Sequence, residues 1–583
     1  MDIFVNTHLF RHVMRFLDRS APIKASVNHV MSKPLCTDKP ITQPFPRSTP
    51  EAKGIRSSVI SAFLDEAVND CGLDLHGVTI IKDGSVICEA QIGPYRPEYY
   101  HVCHSLSKSV TATAIGMLID EGKLSLDSKV TKLLEKRVPA LSMLGYRSLT
   151  IRHLLTMTSG ASFAEVGVAV EKNWLKAFFE SGVISQPGKK FHYNSLNTYV
   201  LSCIIKEVSG EGLCKYLKKR LFDPLGIANY SWELSPEGIE AGGWGLYLCR
   251  EDAAKLGQLY LDKGVWKGKR IISEDWVELS TKPWVKTPND YGAFDYGYHI
   301  WNDKKGKSFL FNGMFCQDVL VLKERKIIIA TNGGLEQLFQ QSEYYKLIDK
   351  YFAKDFVPGN KTVKLKKLLK DLKTGGKRHI LPVKLPSDMK KSLGITYKAE
   401  DYSKMPLKGA QRRGIPISHS VLPIIEQMLR NSYATGIRSF TLNKDGGQLY
   451  LDVEERDGIK RIPISIDKWA ETVLHFGNTD YRAASYATIS KNEDGYRLLK
   501  IKIAFPEVAS SRIIKIYFKK NSLFVRMSES PGMGLIRIFA DELEGVVKKN
   551  KIMTDFISLI DSDAIFCKLE KRFELQFSLY KEK

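Results

Sequence analysis

The stretch from His104 to Gly122, HSLSKSVTATAIGMLIDEG, decides how the rest of the chain is interpreted. Its apolar residues recur with the spacing of a helix, and a glycine such as Gly122 commonly ends one. Ser105 and Lys108 stand three positions apart at its start, so on a helix both side chains lie on one face. Free backbone N–H groups at a helix N-terminus favour an alkoxide or oxyanion there. The stretch predicts a helix from Ser105 to about Glu121 that carries a serine nucleophile with a lysine beside it.

The S-x-x-K spacing also arises by chance, so the rest of the chain has to support it. The chain has 583 residues, of which 43% are hydrophobic and 26% charged, as is typical of a globular protein of two to four domains. No apolar run approaches the roughly 18 to 20 residues that a transmembrane helix needs. The net charge of +22 suggests an anionic partner. However, the densest basic segment, from Lys361 to Lys391, has no interleaved aromatic residues and no nucleic-acid-binding motif. We therefore predict neither a membrane span nor a nucleic-acid partner.

The N-terminal stretch and the cysteine pattern indicate the cellular compartment in which the protein is expected. The opening stretch MDIFVNTHLFRHVMRFLDRS is amphipathic and lacks the continuous apolar core of a signal peptide. The nine cysteines are scattered and form no C-x-x-C pair, which is typical of small buried thiols in a reducing environment. The sequence therefore predicts a cytoplasmic protein without a disulfide framework or a zinc site.

The region 46–355, which follows an irregular N-terminal arm over residues 1–45, mixes strands and helices. A hairpin is predicted over Val78–Ala90, with Asp83-Gly84 as its turn. The other elements predicted here are two helices and two late strands: residues 149–157, 196–208, 318–322 and 326–331. Strands at both ends of a region with a helical middle indicate an α/β (α+β) fold, an antiparallel sheet flanked by helices.

A basic linker is predicted over residues 356–393, and the apolar pattern after it changes to a period of two. Alternating residues mark four strands: Leu449, Leu451 and Val453; Leu499, Ile501, Ile503 and Phe505; Ile514, Ile516 and Phe518; Leu523, Val525 and Met527. Residues 394–583 are therefore predicted to form a separate all-β domain, an antiparallel barrel or sandwich, in which we find no catalytic constellation.

A serine and a lysine need further groups before they make a hydrolytic site. The lysine must be neutral to accept a proton, another group must relay that proton to the leaving group, and N–H groups must bind the oxyanion. Tyr193 and Ser195, in PGKKFHYNS just ahead of an apolar helix, are candidates for the polar group. The run Asn312-Gly313-Met314 leads into a strand and can supply an N–H at the strand edge.

Residues 45–355 resemble the penicillin-recognising serine hydrolases, the superfamily of class C β-lactamases, DD-peptidases, family VIII esterases and nylon-oligomer hydrolases. Ser105 and Lys108 match its S-x-x-K motif, and Tyr193 and Ser195 match its Y-x-N/S motif. Five stretches resemble the family and stand in its order: RSTPEAKGI, GPYRPEYYHVCHSLSKS, LTIRHLLTMTSG, PGKKFHYNS and GWGLYLCREDAAKLGQLYLDKG. The resemblance implies a β-lactamase/transpeptidase-like fold.

The resemblance also implies a role for each matched residue. Ser105 is expected to be the acylated nucleophile, with Lys108 and Tyr193 sharing the work of general base and general acid. Ser195 is expected in the hydrogen-bond network, and the oxyanion hole is expected to use the backbone N–H groups of Ser105 and Met314. The family chemistry implies no metal and no organic cofactor.

The third motif departs from the family pattern. β-Lactamases have Lys-Thr-Gly where this chain has Phe311-Asn312-Gly313, so the glycine is retained and the cation is missing. A lysine there helps to bind the carboxylate of penicillins and peptides. The departure therefore favours a small-molecule ester or amide substrate without that carboxylate, with β-lactamase or DD-peptidase activity as the alternative.

Structural roles compete with several of these assignments. Asn312 is expected to be a strand-end residue rather than a substrate ligand, and Ser195 fits a helix N-cap as well as a catalytic network. Trp244, in GGWG, fits either a pocket wall or plain packing. His104 and His153 are expected to be structural, because the chain has no G-x-S-x-G elbow of a Ser-His-Asp hydrolase. A non-catalytic binding or sensor protein on the same fold is the alternative from another class.

Overall fold

The computed structural model describes residues 35–36, 39–162, 171–337, 342–357, 359, 363–375, 385–399, 420–430, 436–455, 457–466, 468–477, 479–534, 536–537, 570 and 574–582. The predicted N-terminal arm therefore lies largely outside the described residues. The described chain divides into two compact units, one including residues 36–373 and the other residues 374–582. Within these ranges, no helix combines the length and the apolar character needed to cross a membrane.

The first unit is built on a seven-stranded antiparallel sheet in the order β2-β1-β12-β11-β10-β9-β8. Small sheets β3-β5-β4 and β6-β7 accompany it. The strands are β1 Leu75–Lys82, β2 Ser85–Gln91, β3 His101–Val102, β4 Tyr230–Trp232, β5 Leu246–Leu248, β6 Val265–Trp266, β7 Lys269–Arg270, β8 Phe294–Tyr296, β9 Trp301–Asp303, β10 Ser308–Gly313, β11 Gln317–Leu322 and β12 Ile327–Gly333. The predicted hairpin is β1–β2, and Asp83 and Gly84 have φ angles of 46° and 68°, as a tight two-residue turn requires.

Helices flank this sheet, as the sequence pattern predicts. They are α1 Ser57–Asp65, α2 Leu106–Asp120, α3 Val130–Leu133, α4 Ile151–Leu155, α5 Trp174–Glu180, α6 Leu196–Ser209, α7 Leu213–Leu217, α8 Asp223–Leu225, α9 Arg250–Leu261, α10 Glu274–Ser280, α11 Glu343–Ile348 and α12 Leu365–Thr374. Helix α2 is buried continuously from Leu106 to Leu118, so it forms the centre of the unit. Its buried hydroxyls are satisfied by nearby carbonyls; Thr111, for example, donates to Gly242 at 2.9 Å.

Helix α12 falls inside the segment predicted to be a basic linker. Its Leu368 and Leu372 are buried in the core of the first unit, while Lys366, Lys367 and Lys370 are exposed. The composition of the segment did not reveal this helix. Lysines on the solvent side of an amphipathic helix make the whole segment basic, although its leucines are buried. The domain boundaries themselves stay a prediction.

The second unit is a nearly closed ten-stranded antiparallel barrel in the order β16-β15-β14-β13-β22-β21-β20-β19-β18-β17. The open side is bridged where Ala487 N donates to Ser465 O at 2.7 Å. Its elements are α13 Ser387–Lys391, β13 Thr396–Ala399, α14 Ile424–Arg430, β14 Ile437–Asp445, β15 Gln448–Glu455, β16 Gly458–Ile464, β17 Ala470–Phe476, β18 Thr479–Lys491, β19 Arg497–Ala504, β20 Ser511–Phe518, β21 Ser522–Ser530 and β22 Leu575–Lys581. The four strands marked by alternating residues are β15, β19, β20 and β21, whose apolar residues are buried.

Candidate functional site

Ser105 lies in a tight turn immediately before α2. The preceding residue, His104, has a φ of 46° in the left-handed region. The His104 carbonyl accepts a hydrogen bond of 2.6 Å from Ser107 Oγ, and Ser107 Oγ accepts one of 3.2 Å from Leu246 N. The turn is thereby tied both to its own helix and to strand β5. Ser105 is only half-buried, so its hydroxyl is presented at the N-terminus of an otherwise buried helix.

Lys108 lies directly beside Ser105, as the i, i+3 spacing predicts. Its Nζ is 2.7 Å from Ser105 Oγ and 2.9 Å from the carbonyl oxygen of Gly243. The Lys108 residue is only 1% exposed. A Cβ at Gly243 would stand 2.6 Å from the carbonyl oxygen of Ser195, so only glycine fits between the amine and the second motif.

Tyr193 completes the group around the Lys108 amine. Lys108 Nζ lies 4.8 Å from the centroid of the Tyr193 ring. Ser195, two residues later, is buried and immediately precedes α6, and its backbone carbonyl accepts from Thr198 N at 3.1 Å. The structure therefore brings the first two motifs together around one buried amine.

The third motif lies where the sheet meets the start of α2. Strand β10 ends at Gly313, where a Cβ would stand 2.2 Å from the carbonyl oxygen of Cys103. The chain then turns through Met314, which is half-buried, to Phe315, which has a φ of 64°. The Phe315 ring packs edge-on against His104, with centroids 5.4 Å apart. The turn that follows the glycine thus lies against the turn that precedes Ser105.

Replacing Gly313 with alanine is expected to lower kcat for ester hydrolysis by about 10²-fold, because the added methyl group separates β10 from the turn before Ser105. The ester assay and the melting temperature are measured together. Gly359→Ala is the control, because a Cβ there meets nothing within 4 Å and the backbone is not in the left-handed region. Unchanged kcat in a folded Gly313→Ala protein would contradict the predicted close approach.

The side chains of Phe311 and Asn312 lie in different surroundings. Phe311 is 1% exposed, and its ring packs edge-on against Tyr260 at 5.1 Å, so the position of the β-lactamase lysine is occupied by a core side chain. The Asn312 Nδ2 group donates to Asp318 Oδ1 at 2.7 Å and lies 3.3 Å from the Tyr345 hydroxyl. The Asn312 amide is thus engaged by its cross-strand neighbour.

Trp244 and His153 both contact neighbouring parts of the fold. The half-buried Trp244 ring lies 5.2 Å from the Trp174 ring, and its backbone carbonyl accepts from Trp232 Nε1 at 2.8 Å. His153 Nδ1 accepts from Thr150 N at 3.3 Å in the capping box that begins α4. Because Trp244 directly follows the Gly243 carbonyl that binds Lys108, it also lies close to the candidate site.

An aromatic cluster beside Tyr193 was missed by sequence reasoning. The rings of Tyr193, Trp301 and Tyr291 lie 5.9 to 6.2 Å from one another, and Phe191 packs edge-on against Tyr291 at 5.5 Å. Phe191, Tyr193 and Tyr291 are half-buried. The site is therefore apolar on the side of Tyr193.

His299 is a second residue that the sequence did not single out. Its Nε2 lies 3.0 Å from Thr198 Oγ1 of α6, and its carbonyl accepts from Ser109 Oγ of α2 at 2.6 Å. His299 thus bridges the helices that carry the first two motifs. Burial lowers the pKa of His299 well below its ordinary value of 6.5, and Lys108 lowers it further whenever its amine is protonated.

Acid is therefore expected to destabilise the fold through His299. Below pH about 6.5 the unfolded chain takes up a proton on this ring and the folded chain does not, so the free energy of unfolding falls by up to about 1.4 kcal/mol per pH unit. His299→Gln is expected to make this slope shallower in urea denaturation between pH 7 and pH 5. His192→Gln, at an exposed ring, is the control. An unaltered slope in His299→Gln would contradict the prediction.

Among the residues described, no group of three or more His, Cys, Asp or Glu side chains is arranged to hold a metal ion. None of the eight described cysteines is in a disulfide, and six of them are buried. Ser105, Lys108 and Tyr193 offer the chemistry of a serine hydroxyl with a neighbouring amine and phenol.

Comparison with known proteins places the first unit in a family. The Beta-lactamase family model matches residues 63–333. The 6-aminohexanoate-dimer hydrolase of Paenarthrobacter ureafaciens is 28% identical over 262 residues, which are 41% of this chain and 64% of that protein. A penicillin-binding protein of Bacillus subtilis is 30% identical over 155 residues, which are 24% of this chain and 33% of that protein. The chain thus spans less than two thirds of the length of both relatives.

Among solved structures, a penicillin binding protein from Bacillus halodurans matches with a TM-score of 0.40 and 20% identity. The match covers 50% of this chain and 99% of that one.

Proposed function

Because residues 63–333 form a Beta-lactamase family domain, a domain of hydrolases, we propose that the chain is a serine hydrolase that cleaves an ester or amide through an acyl-enzyme on Ser105. The observation that carries the proposal is the 2.7 Å contact between Lys108 Nζ and Ser105 Oγ at the N-terminus of α2. The proposed catalytic domain comprises residues 46–355.

In the proposed acylation, the neutral Lys108 amine takes the proton of Ser105 as Oγ attacks the substrate carbonyl carbon. Burial supports this role, since an amine removed from water is the condition under which a lysine works as a base. The backbone N–H groups of Ser105 and Met314 bind the oxyanion. The proton then passes to the leaving alcohol or amine by way of Lys108 and Tyr193, whose ring centroid lies 4.8 Å from Lys108 Nζ.

In the proposed deacylation, the same pair works in reverse. Lys108 and Tyr193 take a proton from water, which attacks the acyl carbonyl and forms a second oxyanion at the same N–H groups. Collapse of that intermediate breaks the acyl–Oγ bond, and the proton returns to Ser105. The product acid leaves, and no metal or cofactor takes part in any step.

The surroundings of the site support a substrate other than penicillin. Phe311 is a core residue where a β-lactamase has a cation, and the Asn312 amide is held by Asp318. Aromatic rings line the Tyr193 side. A relative whose name assigns it a 6-aminohexanoate dimer supports the same reading.

A substrate panel tests the proposal. We expect turnover of p-nitrophenyl acetate and butyrate, with much slower turnover of a chromogenic cephalosporin and of a D-alanyl-D-alanine peptide. A cephalosporin rate equal to the ester rate would favour β-lactamase function instead. No turnover and no covalent labelling across the panel would favour a non-catalytic binding protein.

A further inference from the structure

Asp318 is a buried carboxylate at the third motif to which the proposed mechanism gives no role. It lies on β11 directly opposite Asn312 of β10 and is 2% exposed. Asp318 Oδ1 accepts from Asn312 Nδ2 at 2.7 Å, and Oδ2 accepts from the Tyr345 hydroxyl at 2.6 Å. The Gly313 backbone and the Cys316 thiol also hydrogen-bond to it. These hydrogen-bond donors around the end of β10 thus converge on one carboxylate.

The partners of this carboxylate are neutral donors. Burial raises the pKa of Asp318 to about 6, against the lowering effect of the hydrogen bonds, so the group is ionised at pH 8. The titratable groups that face it are Tyr345 and Tyr344 of α11 and Cys316 of the β10–β11 turn, and burial raises the pKa of each. These three groups are therefore uncharged when Asp318 carries its negative charge.

The charge beside the third motif is opposite in sign to the charge at that motif in a β-lactamase. There a lysine attracts a substrate carboxylate; here the lysine position is apolar, and the neighbouring residue, Asn312, directs its amide N–H toward an anion. A substrate group that reaches Asn312 therefore meets a negative charge one side chain away. Because Asp318 is buried, solvent screens its charge weakly, and such a charge repels a carboxylate and attracts an ammonium group.

We infer that Asp318 determines the charge selectivity of the site, so that it accepts substrates that are neutral or positively charged at the third motif and rejects those with a carboxylate there. The inference rests on the proposed function and deepens it by naming the substrate class. Asp318 acts through its field and through Asn312, as a specificity-determining residue.

Two matched ester series test this inference at pH 8. The first varies the acyl group of a p-nitrophenyl ester among hexanoate, hemiadipate and 6-(trimethylammonio)hexanoate. The second varies the alcohol of an acetate ester among 3-methylphenol, 3-hydroxybenzoate and 3-hydroxyphenyltrimethylammonium. In at least one series, Asp318→Asn is expected to lower the ratio of kcat/KM for the ammonium ester to kcat/KM for the carboxylate ester by about tenfold or more. Comparing two proteins on the same esters cancels the intrinsic reactivity of each ester.

Asp303→Asn is the matched control. It removes a carboxylate of the same charge from β9, the strand beside β10 in the same sheet. Asp303 follows Asn302, and Asn302 pairs with Phe309 of β10, which lies four residues before Gly313. Asp303→Asn is expected to leave the ratio unchanged. An unchanged ratio in Asp318→Asn in both series, or an equal change in both variants, would overturn the inference.

A measurement on the unaltered protein covers the case in which Asp318→Asn does not fold. As the pH falls from 8 to 5, Asp318 takes up a proton, and the ammonium-to-carboxylate ratio is expected to fall several-fold. A ratio that stays flat over this range would overturn the inference. If Ser105-dependent turnover is present but the ratio does not respond, only the inference fails; if no ester is turned over, the proposed function fails and the inference with it.

Discussion

Ser105→Ala is expected to lower kcat/KM for p-nitrophenyl butyrate by about 10⁴-fold or more, since removal of a catalytic nucleophile has effects of this order or larger. Without Oγ no acyl-enzyme forms, and water has to attack the bound ester directly. The fold is expected to be unaffected, because Ser105 is half-buried and stands just before the continuously buried stretch of α2. The ester assay and circular dichroism of the two proteins provide the measurement.

Ser107→Ala is the matched control from the same motif. The Ser107 hydroxyl bonds to the His104 carbonyl and to Leu246 N, so its loss is expected to cost about 1–3 kcal/mol of stability and to retain turnover by the folded protein. If Ser107→Ala abolished turnover while Ser105→Ala kept it, the assignment of the nucleophile would be wrong.

Lys108→Met is expected to lower kcat by about 10³-fold with little change in KM, because the lost proton transfer acts in the transition state rather than in substrate binding. Methionine fills the space of the lysine stem without a basic group. Lys108→Arg is expected to be equally impaired, since a guanidinium stays protonated and cannot accept the Ser105 proton. Steady-state kinetics of the two variants measure both effects.

Lys255→Met is the control for the loss of a buried lysine. Lys255 is fully buried, and its Nζ lies 2.6 Å from Asp252 Oδ1, so its replacement is expected to destabilise the fold while sparing kcat of the folded molecules. Restoration of full activity by Lys108→Arg would contradict a role for Lys108 as a base.

The parts of the site that follow from local spacing could be predicted from the sequence. Ser105 and Lys108 are one helical turn apart, so the period of the helix alone places them side by side. The β1–β2 hairpin follows from its Asp83-Gly84 turn, and the strands of the barrel follow from their alternation. In each case the information lies within about twenty residues of chain.

The parts that depend on contacts between distant segments could not be predicted. His299 reaches the site only because the sheet brings it against α2 and α6, and no motif surrounds it. The sequence shows that residue 311 is apolar, but it does not show that the Asp318 carboxylate accepts a hydrogen bond from Asn312. The pairing of Asn312 with Asp318 depends on the register of β10 and β11, which a pattern of apolar residues does not reveal.

The second unit shows the same limit. Alternation predicted its strands but left a barrel and a sandwich equally open, since both present apolar residues on one face of each strand. The observed strand order, and the hydrogen bond from Ala487 N of β18 to the carbonyl oxygen of Ser465 just after β16, identify the unit as a barrel.

Covalent labelling tests the central claim most directly. The protein is incubated with a fluorophosphonate, and its intact mass and proteolytic peptides are determined by mass spectrometry. We expect one adduct per chain, located on Ser105 and absent in Ser105→Ala, with slower formation in Lys108→Met. An adduct on another residue, or none in a protein that hydrolyses esters, would contradict the proposed mechanism.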